Sequence, residues 1–262
     1  MHLDFHNQEK AYEMRALKII ILIYYLFPCI CQAQSRGDNE FNYQGHSYSV
    51  FIIKVDTNSI KKFRLLQNLA GITHNDFIRP YVNNDPNIFI TNATVWDSVY
   101  HPLGLFVSEG KTINALNLSD GNQMGFYLKP NGVFLINDKG LSIVESSRTS
   151  DFSNIRLAVQ SGPMLVIDGR IHDKFDPNSK NRNLRCGVGT FTDNGAAYVV
   201  FAVSNEPVTL YEFASLFKNN YKCANALCLQ SAGCVMQLPF IKSNGAMNNS
   251  PIGNYIMYSN HN

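Results

Sequence analysis

The chain lacks the short signatures that assign a reaction at sight. It has no GxSxG elbow, no GxxxxGK[ST] loop and no HExxH pair, which sets aside the hydrolase nucleophile turn, the nucleotide phosphate cradle and the helical zinc site. Gly187-Val188-Gly189 is missing the third glycine of a dinucleotide fingerprint and reads as a turn or a close-packed strand. No basic run exceeds Lys61-Lys62, and 22 basic residues against 20 acidic ones leave a net charge of +2. Nothing in that balance calls for a nucleic-acid partner. No two cysteines have CxxC spacing and no histidine lies beside the later four, which argues against a zinc site. Internal repeats, low-complexity tracts and linkers are also missing, so one domain is the expectation.

What is present begins with an export signal. Met14-Arg15-Ala16-Leu17-Lys18 supplies a basic start, Ile19 to Phe27 an apolar run and Cys31-Gln32-Ala33 a small-residue exit. The apolar run is short for a membrane span, so residues 1–33 read as a cleaved signal peptide, with Met14 an alternative start. The mature protein is then secreted or periplasmic, with no stable membrane span. The rival readings are an uncleaved anchor or acylation at Cys29, but Leu26-Phe27-Pro28 places bulky residues where lipidation wants small ones. Residues 34–47 read as a loose lead-in and 48–262 as the folded domain. Cys186, Cys223, Cys228 and Cys234 remain after cleavage; they allow two disulfides in three connectivities, or buried free thiols.

At 45% hydrophobic and 12% aromatic content the chain can bury one substantial core. Tyr48 to Val55, Ile88 to Ile90, Phe126 to Leu128, Val133 to Ile136 and Leu141 to Val144 read as strands, with Asn137-Asp138-Lys139-Gly140 turning a hairpin. Thr73 to Tyr81 reads as a helix opened by Thr73 and closed by Pro80. Met164 to Ile167 runs into the hairpin signal Asp168-Gly169. Ala197 to Val203 is continuously apolar, as a strand covered on both faces would be. Thr209 with Glu212 forms a capping box, and Leu210, Phe213, Ala214 and Phe217 share one helix face. Ala226 to Leu229 is the next strand. Strand, helix and strand in that order predict a β-α-β crossover between parallel strands near the C-terminal end, within an α+β domain of mixed sheet and few helices. Both strands would finish at one edge, bringing Ser204-Asn205-Glu206 beside Gln230-Ser231.

Ordered motifs then support a family resemblance. Asn92-Ala93-Thr94-Val95-Trp96, His101-Pro102-Leu103-Gly104-Leu105 and Phe126-Tyr127-Leu128-Lys129-Pro130-Asn131-Gly132-Val133-Phe134 are followed by Gln160-Ser161-Gly162-Pro163, Arg185-Cys186-Gly187-Val188-Gly189, Ser204-Asn205-Glu206-Pro207 and Asn225-Ala226-Leu227. Together, over roughly Ser49 to Leu238, these resemble the phosphodiester glycosidase family. The resemblance implies hydrolysis of a sugar joined through its anomeric carbon to a phosphodiester, with a small-molecule or glycan substrate; the residues themselves point to no cofactor or metal. Such a reaction needs cationic or N–H donors around the departing phosphate and a carboxylate near an oxocarbenium-like sugar.

On that reading Arg185 is the phosphate donor, because its planar fork matches phosphate oxygens. Asn92, Ser161, Gly162 and Ser204 supply the remaining binding groups. Glu206 and Asp97 are the candidate catalytic carboxylates, beside Gln230 at the rim. Each has a structural alternative: Arg185 paired with an acid on a neighbouring strand, Asn92 holding a turn, Ser204 capping one, Glu206 stabilising a helix start, His101 and His172 as surface or satisfied histidines. The resemblance also has departures. Leu229-Gln230-Ser231 stands where the family usually carries Leu-Asp-Gly, and Thr94 where a glycine is frequent. Gln230 can hydrogen-bond but cannot act as a base or hold negative charge. Two functions therefore stand side by side: a glycosyl phosphodiester hydrolase, and a non-catalytic glycan or sugar-phosphate binding protein.

Overall fold

The computed structural model describes residues 40–121, 126–148, 154–240 and 249–259; the signal segment expected over 1–33 lies outside them. Strands β1 (Glu40–Tyr43), β2 (His46–Lys54), β3 (Phe63–Gln67) and β4 (Phe89–Asn92) precede β5 (Phe106–Ser108), β6 (Lys111–Asn114), β7 (Gly132–Asn137) and β8 (Gly140–Glu145). Then come β9 (Ile155–Ser161), β10 (Met164–Ile167), β11 (Arg170–Ile171), β12 (Cys186–Asp193), β13 (Ala196–Ser204), β14 (Asn225–Gln230), β15 (Met236–Gln237) and β16 (Asn254–Tyr258). Two α-helices are found among the described residues. Helix α1 is His74–Asn84, and α2 is Leu210–Ser215, continued by a π-helical turn at Leu216–Asn220. None of these helices is long and apolar enough to cross a membrane.

The strands form three sheets, ordered β1-β2-β13-β12-β14-β10-β11, β6-β5-β9-β7-β8 and β15-β4-β16-β3. Every ladder among the described residues is antiparallel, where a mixed sheet was expected. The difference arises at β13. Asn194-Gly195 adopts positive φ at both positions, 47° and 77°, the turn geometry that closes a tight hairpin. The hairpin gives β12 the edge of β13 that the crossover reading gave to β14. Strand β14 pairs instead with the far edge of β12. Because β12 is antiparallel to both, β13 and β14 still run in the same direction, one strand apart.

The continuous apolar run of β13 is explained by its two covered faces. Val199, Phe201 and Val203 point into the core between the sheets, while Val200 and Ala202 lie in a second cluster under α2. Phe201 packs against Phe89, Phe134 and Phe63, with ring centroids 4.9, 6.0 and 6.3 Å away, so side chains from all three sheets meet around it. Helix α2 starts as its sequence predicts. Thr209 Oγ1 accepts from Glu212 N at 3.1 Å and Thr209 N donates to Glu212 Oε2 at 2.9 Å. Phe213, Ala214 and Phe217 are then fully buried against the large sheet.

Gly187 and Gly189 mark where that helix lies closest. A Cβ on Gly189 would stand 2.6 Å from Phe217 Cδ1 and 2.7 Å from Cys223 Sγ. The Gly187-Val188-Gly189 motif is thus a close-packed strand. Gly189→Ala is expected to cost about 1–3 kcal/mol through overpacking, read as a lowered urea midpoint, with part of the loss recovered by Phe217→Leu.

Three local expectations differ from the fold. Helix α1 passes through Pro80 to Asn84, although proline removes one intrahelical hydrogen bond. Burial compensates, since Phe77, Ile78, Tyr81 and Val82 pack into a cluster with Ile252 and Tyr255. Phe126 to Leu128 forms a turn, because a short buried apolar run satisfies the strand pattern equally well. The lead-in is ordered from Glu40 onward, as β1 pairs with β2. The Asp168-Gly169 hairpin joins β10 to β11 as expected.

Candidate functional site

Strand register brings several of the candidate residues to one edge of the large sheet. Cys186, at the start of β12, stands opposite Val203 on β13 and Gln230 on β14. Arg185, Ser204 and Gln230 therefore share that edge. Ser161, ending β9, donates its Oγ to the Leu229 carbonyl at 3.0 Å, which joins the five-stranded sheet to the same place. Asn92, ending β4, donates from Nδ2 to Gly233 O at 3.1 Å and accepts from Val235 N at 2.8 Å. Its side chain thus holds the loop that follows Gln230. Asn92, Ser161 and Ser204 are all buried.

Arg185 carries the charge of this rim and is only 2% exposed. Its backbone N–H donates to Ser204 Oγ at 2.9 Å, Nε to Val208 O at 3.2 Å and Nη2 to Asn181 O at 3.3 Å. The acid on a neighbouring strand that would have made it a structural ion pair is not found among the described residues: none of the ion pairs involves Arg185. Burial pushes its pKa below the ordinary arginine value, yet a guanidinium keeps its proton at any physiological pH. A buried cation without an ion pair among the described residues retains the capacity to bind an anion.

Both candidate carboxylates are already engaged. Glu206 is 48% exposed and its Oε1 lies 2.5 Å from Nδ1 of His46, at the start of β2. His46 Nε2 is 3.6 Å from Glu212 Oε1, which also binds Arg182 Nη2 at 2.6 Å. Asp97 Oδ1 accepts from the backbone N–H groups of Val99 and His101, both at 2.9 Å, and so organises its own turn. His101 is exposed. His172 is buried, with Nε2 donating to Lys129 O and Nδ1 accepting from Lys174 N, each at 3.1 Å; burial lowers its pKa and keeps the ring neutral.

One residue of this region was quoted only as part of a motif. Asn131 is buried, neither of its amide atoms has a hydrogen-bond partner among the described residues, and its Oδ1 would lie 2.5 Å from a Cβ placed on Gly162. No periodicity marks it, because its position follows from the close approach of two loops. Thr94, one of the departures, donates from Oγ1 to Gln160 O at 2.5 Å, so its side chain replaces conformational freedom with a specific bond. A separate groove of about 380 Å³, lined by Asn137, Arg148, Asp168 and Asn225, opens at the start of β14, the opposite end of that strand from Gln230.

An antiparallel β domain thus places a buried arginine, without an ion pair among the described residues, at one sheet edge with Ser204 and Gln230. Residues 84–256 match the phosphodiester glycosidase family, and the chain belongs to it. YigE, an uncharacterized protein of Escherichia coli (strain K12), is 35% identical over 127 residues, 48% of each chain; the chain thus matches about half the length of that curated relative. Among solved structures, the fold is similar to the catalytic domain of zebrafish N-acetylglucosamine-1-phosphodiester alpha-N-acetylglucosaminidase, auto-inhibited by its pro-peptide. That match has a TM-score of 0.56 and 14% identity, covering 87% of this chain and 86% of the other. A hypothetical protein from Synechocystis matches with a TM-score of 0.49 and 12% identity, over 84% of this chain and 61% of the other.

Proposed function

We propose that this protein is exported and hydrolyses a glycosyl phosphodiester at the rim formed by Arg185, Ser161, Ser204 and Gln230. The observation that carries the reading is the buried Arg185 guanidinium, which forms no ion pair among the described residues. In this reaction the bond between the anomeric carbon and the phosphate oxygen breaks, the phosphate keeps the electron pair, and water supplies the hydroxyl to the sugar. Arg185 stabilises the growing negative charge on the leaving group. Ser161, Ser204 and Asn131 are assigned to phosphate oxygens or sugar hydroxyls. Asn92 and Gly162 shape the site, one through the Gly233 and Val235 backbone and the other by leaving room for Asn131. Glu206, paired with His46, is the carboxylate assigned to acid–base work. Asp97 is assigned to its turn.

Gln230 supports a second reading, in which the same rim binds a glycan or sugar phosphate without turnover. The neutral amide can donate to a sugar oxygen but cannot take a proton from water. Release of free sugar from an α-N-acetylglucosamine phosphodiester, measured for the natural chain and for Gln230→Asp, separates the two. Turnover by the natural chain, abolished in Glu206→Gln, is the expected result. Turnover by Gln230→Asp alone would establish the binding reading. Silence from both, together with no binding of the substrate by calorimetry, would sink the substrate class.

A further inference from the structure

Three of the four cysteines among the described residues converge on one atom. Cys186, Cys228 and Cys234 place their sulfurs 3.8, 3.4 and 3.4 Å from the carbonyl oxygen of Gln230, and all three are fully buried. The convergence arises at a register shift between Cys186 and Gly187 in the β12–β14 ladder. Cys186 and Cys234 share the core cluster between the sheets, whereas Cys228 belongs to the cluster under α2 and has the Ser231 hydroxyl 3.4 Å from its sulfur. Cys223 stands apart, against Gly189. Two neighbouring thiols can be oxidised to a disulfide.

We propose that Cys186 and Cys234 are a modification site, joined as a disulfide that staples the loop after β14 to the start of β12. Each thiol gives up a proton, the two sulfurs bond, and the two electrons reduce a small-molecule or protein disulfide to two thiols. From their shared position at the Gln230 carbonyl the sulfurs close to roughly 2 Å, the length of the bond. Burial holds the Cys186 thiol protonated in the folded chain, so exchange belongs to folding, when the thiols are still accessible. The staple acts on the rim, because Gly233 and Val235 in the tethered segment are the partners of Asn92. This inference does not depend on the proposed hydrolysis.

The full chain, refolded from denaturant in a mixture of oxidised and reduced glutathione, is alkylated, digested without reduction and mapped by mass spectrometry. The expected result is a peptide pair linked through Cys186 and Cys234, with Cys223 and Cys228 alkylated. The linked protein should melt on the order of 10 °C above its reduced form. That shift is expected to vanish in Cys186→Ala and Cys234→Ser and to persist in Cys223→Ser. Recovery of Cys186 and Cys234 as alkylated monomers, or a bond from either of them to Cys228, would overturn the proposal.

Discussion

Replacing Arg185 with alanine is expected to reduce turnover of a glycosyl phosphodiester by about 10²–10³-fold, the range seen when one preorganised donor to developing negative charge is lost. The guanidinium is held in place before substrate arrives, by the carbonyls of Val208 and Asn181 and by the Ser204 hydroxyl on its own backbone. No reorganisation is then needed as charge moves onto the leaving phosphate. Arg185→Lys keeps the charge but loses the Nε donor to Val208 and the forked geometry, so only partial recovery is expected. Both variants also strand buried carbonyls, which costs about 1–3 kcal/mol of stability. The kinetic comparison is therefore made per folded molecule, below the melting temperature of each variant. Loss of stability with full activity in the folded fraction would mean that Arg185 merely supports the Asn181 and Val208 loops.

Phe201→Ala is expected to destabilise the domain by about 3–5 kcal/mol, the usual cost of emptying a large aromatic site in a rigid core. Its ring contacts Phe89 and Phe63 from the four-stranded sheet and Phe134 from the five-stranded one. The cavity would therefore loosen the junction of the three sheets. Urea unfolding followed by near-ultraviolet and far-ultraviolet dichroism should give coincident curves with a lowered midpoint. Phe201→Leu, which keeps most of the volume, is expected to cost much less. A loss below 1 kcal/mol on the Phe201→Ala change, in this use of the cavity rule, would refute a core centred on this ring.

Local features of the fold were legible wherever a few adjacent residues set the outcome. The capping box at Thr209 and Glu212, the positive-φ turn at Asp168-Gly169 and the alternation along β13 all depend on neighbours within one or two turns of chain. Pro80 misled because its penalty is local while the compensation comes from Ile252 and Tyr255, far along the chain. The site was legible in part. Arg185 stood out by residue type and motif, and the edge it shares with Ser204 and Gln230 follows from strand direction. Asn131 carried no signal, because nothing in its neighbourhood announces that both amide atoms would be buried without partners among the described residues.

Seven strands (β2, β4, β7, β8, β10, β13 and β14), the turns at Asn137-Asp138-Lys139-Gly140 and Asp168-Gly169, the helix start at Thr209 and the ordered motifs of a phosphodiester glycosidase were legible in the sequence alone, since these follow from side-chain periodicity, backbone sterics and residue identity within short spans. Tertiary packing was needed to decide that β12 lies between β13 and β14, that Glu206 meets His46 across 160 positions of sequence, that Arg185 forms no ion pair among the described residues, and that three thiols share one carbonyl. Those outcomes are set by which distant edges and faces pack together. That choice is a competition among long-range contacts whose energies no local pattern encodes.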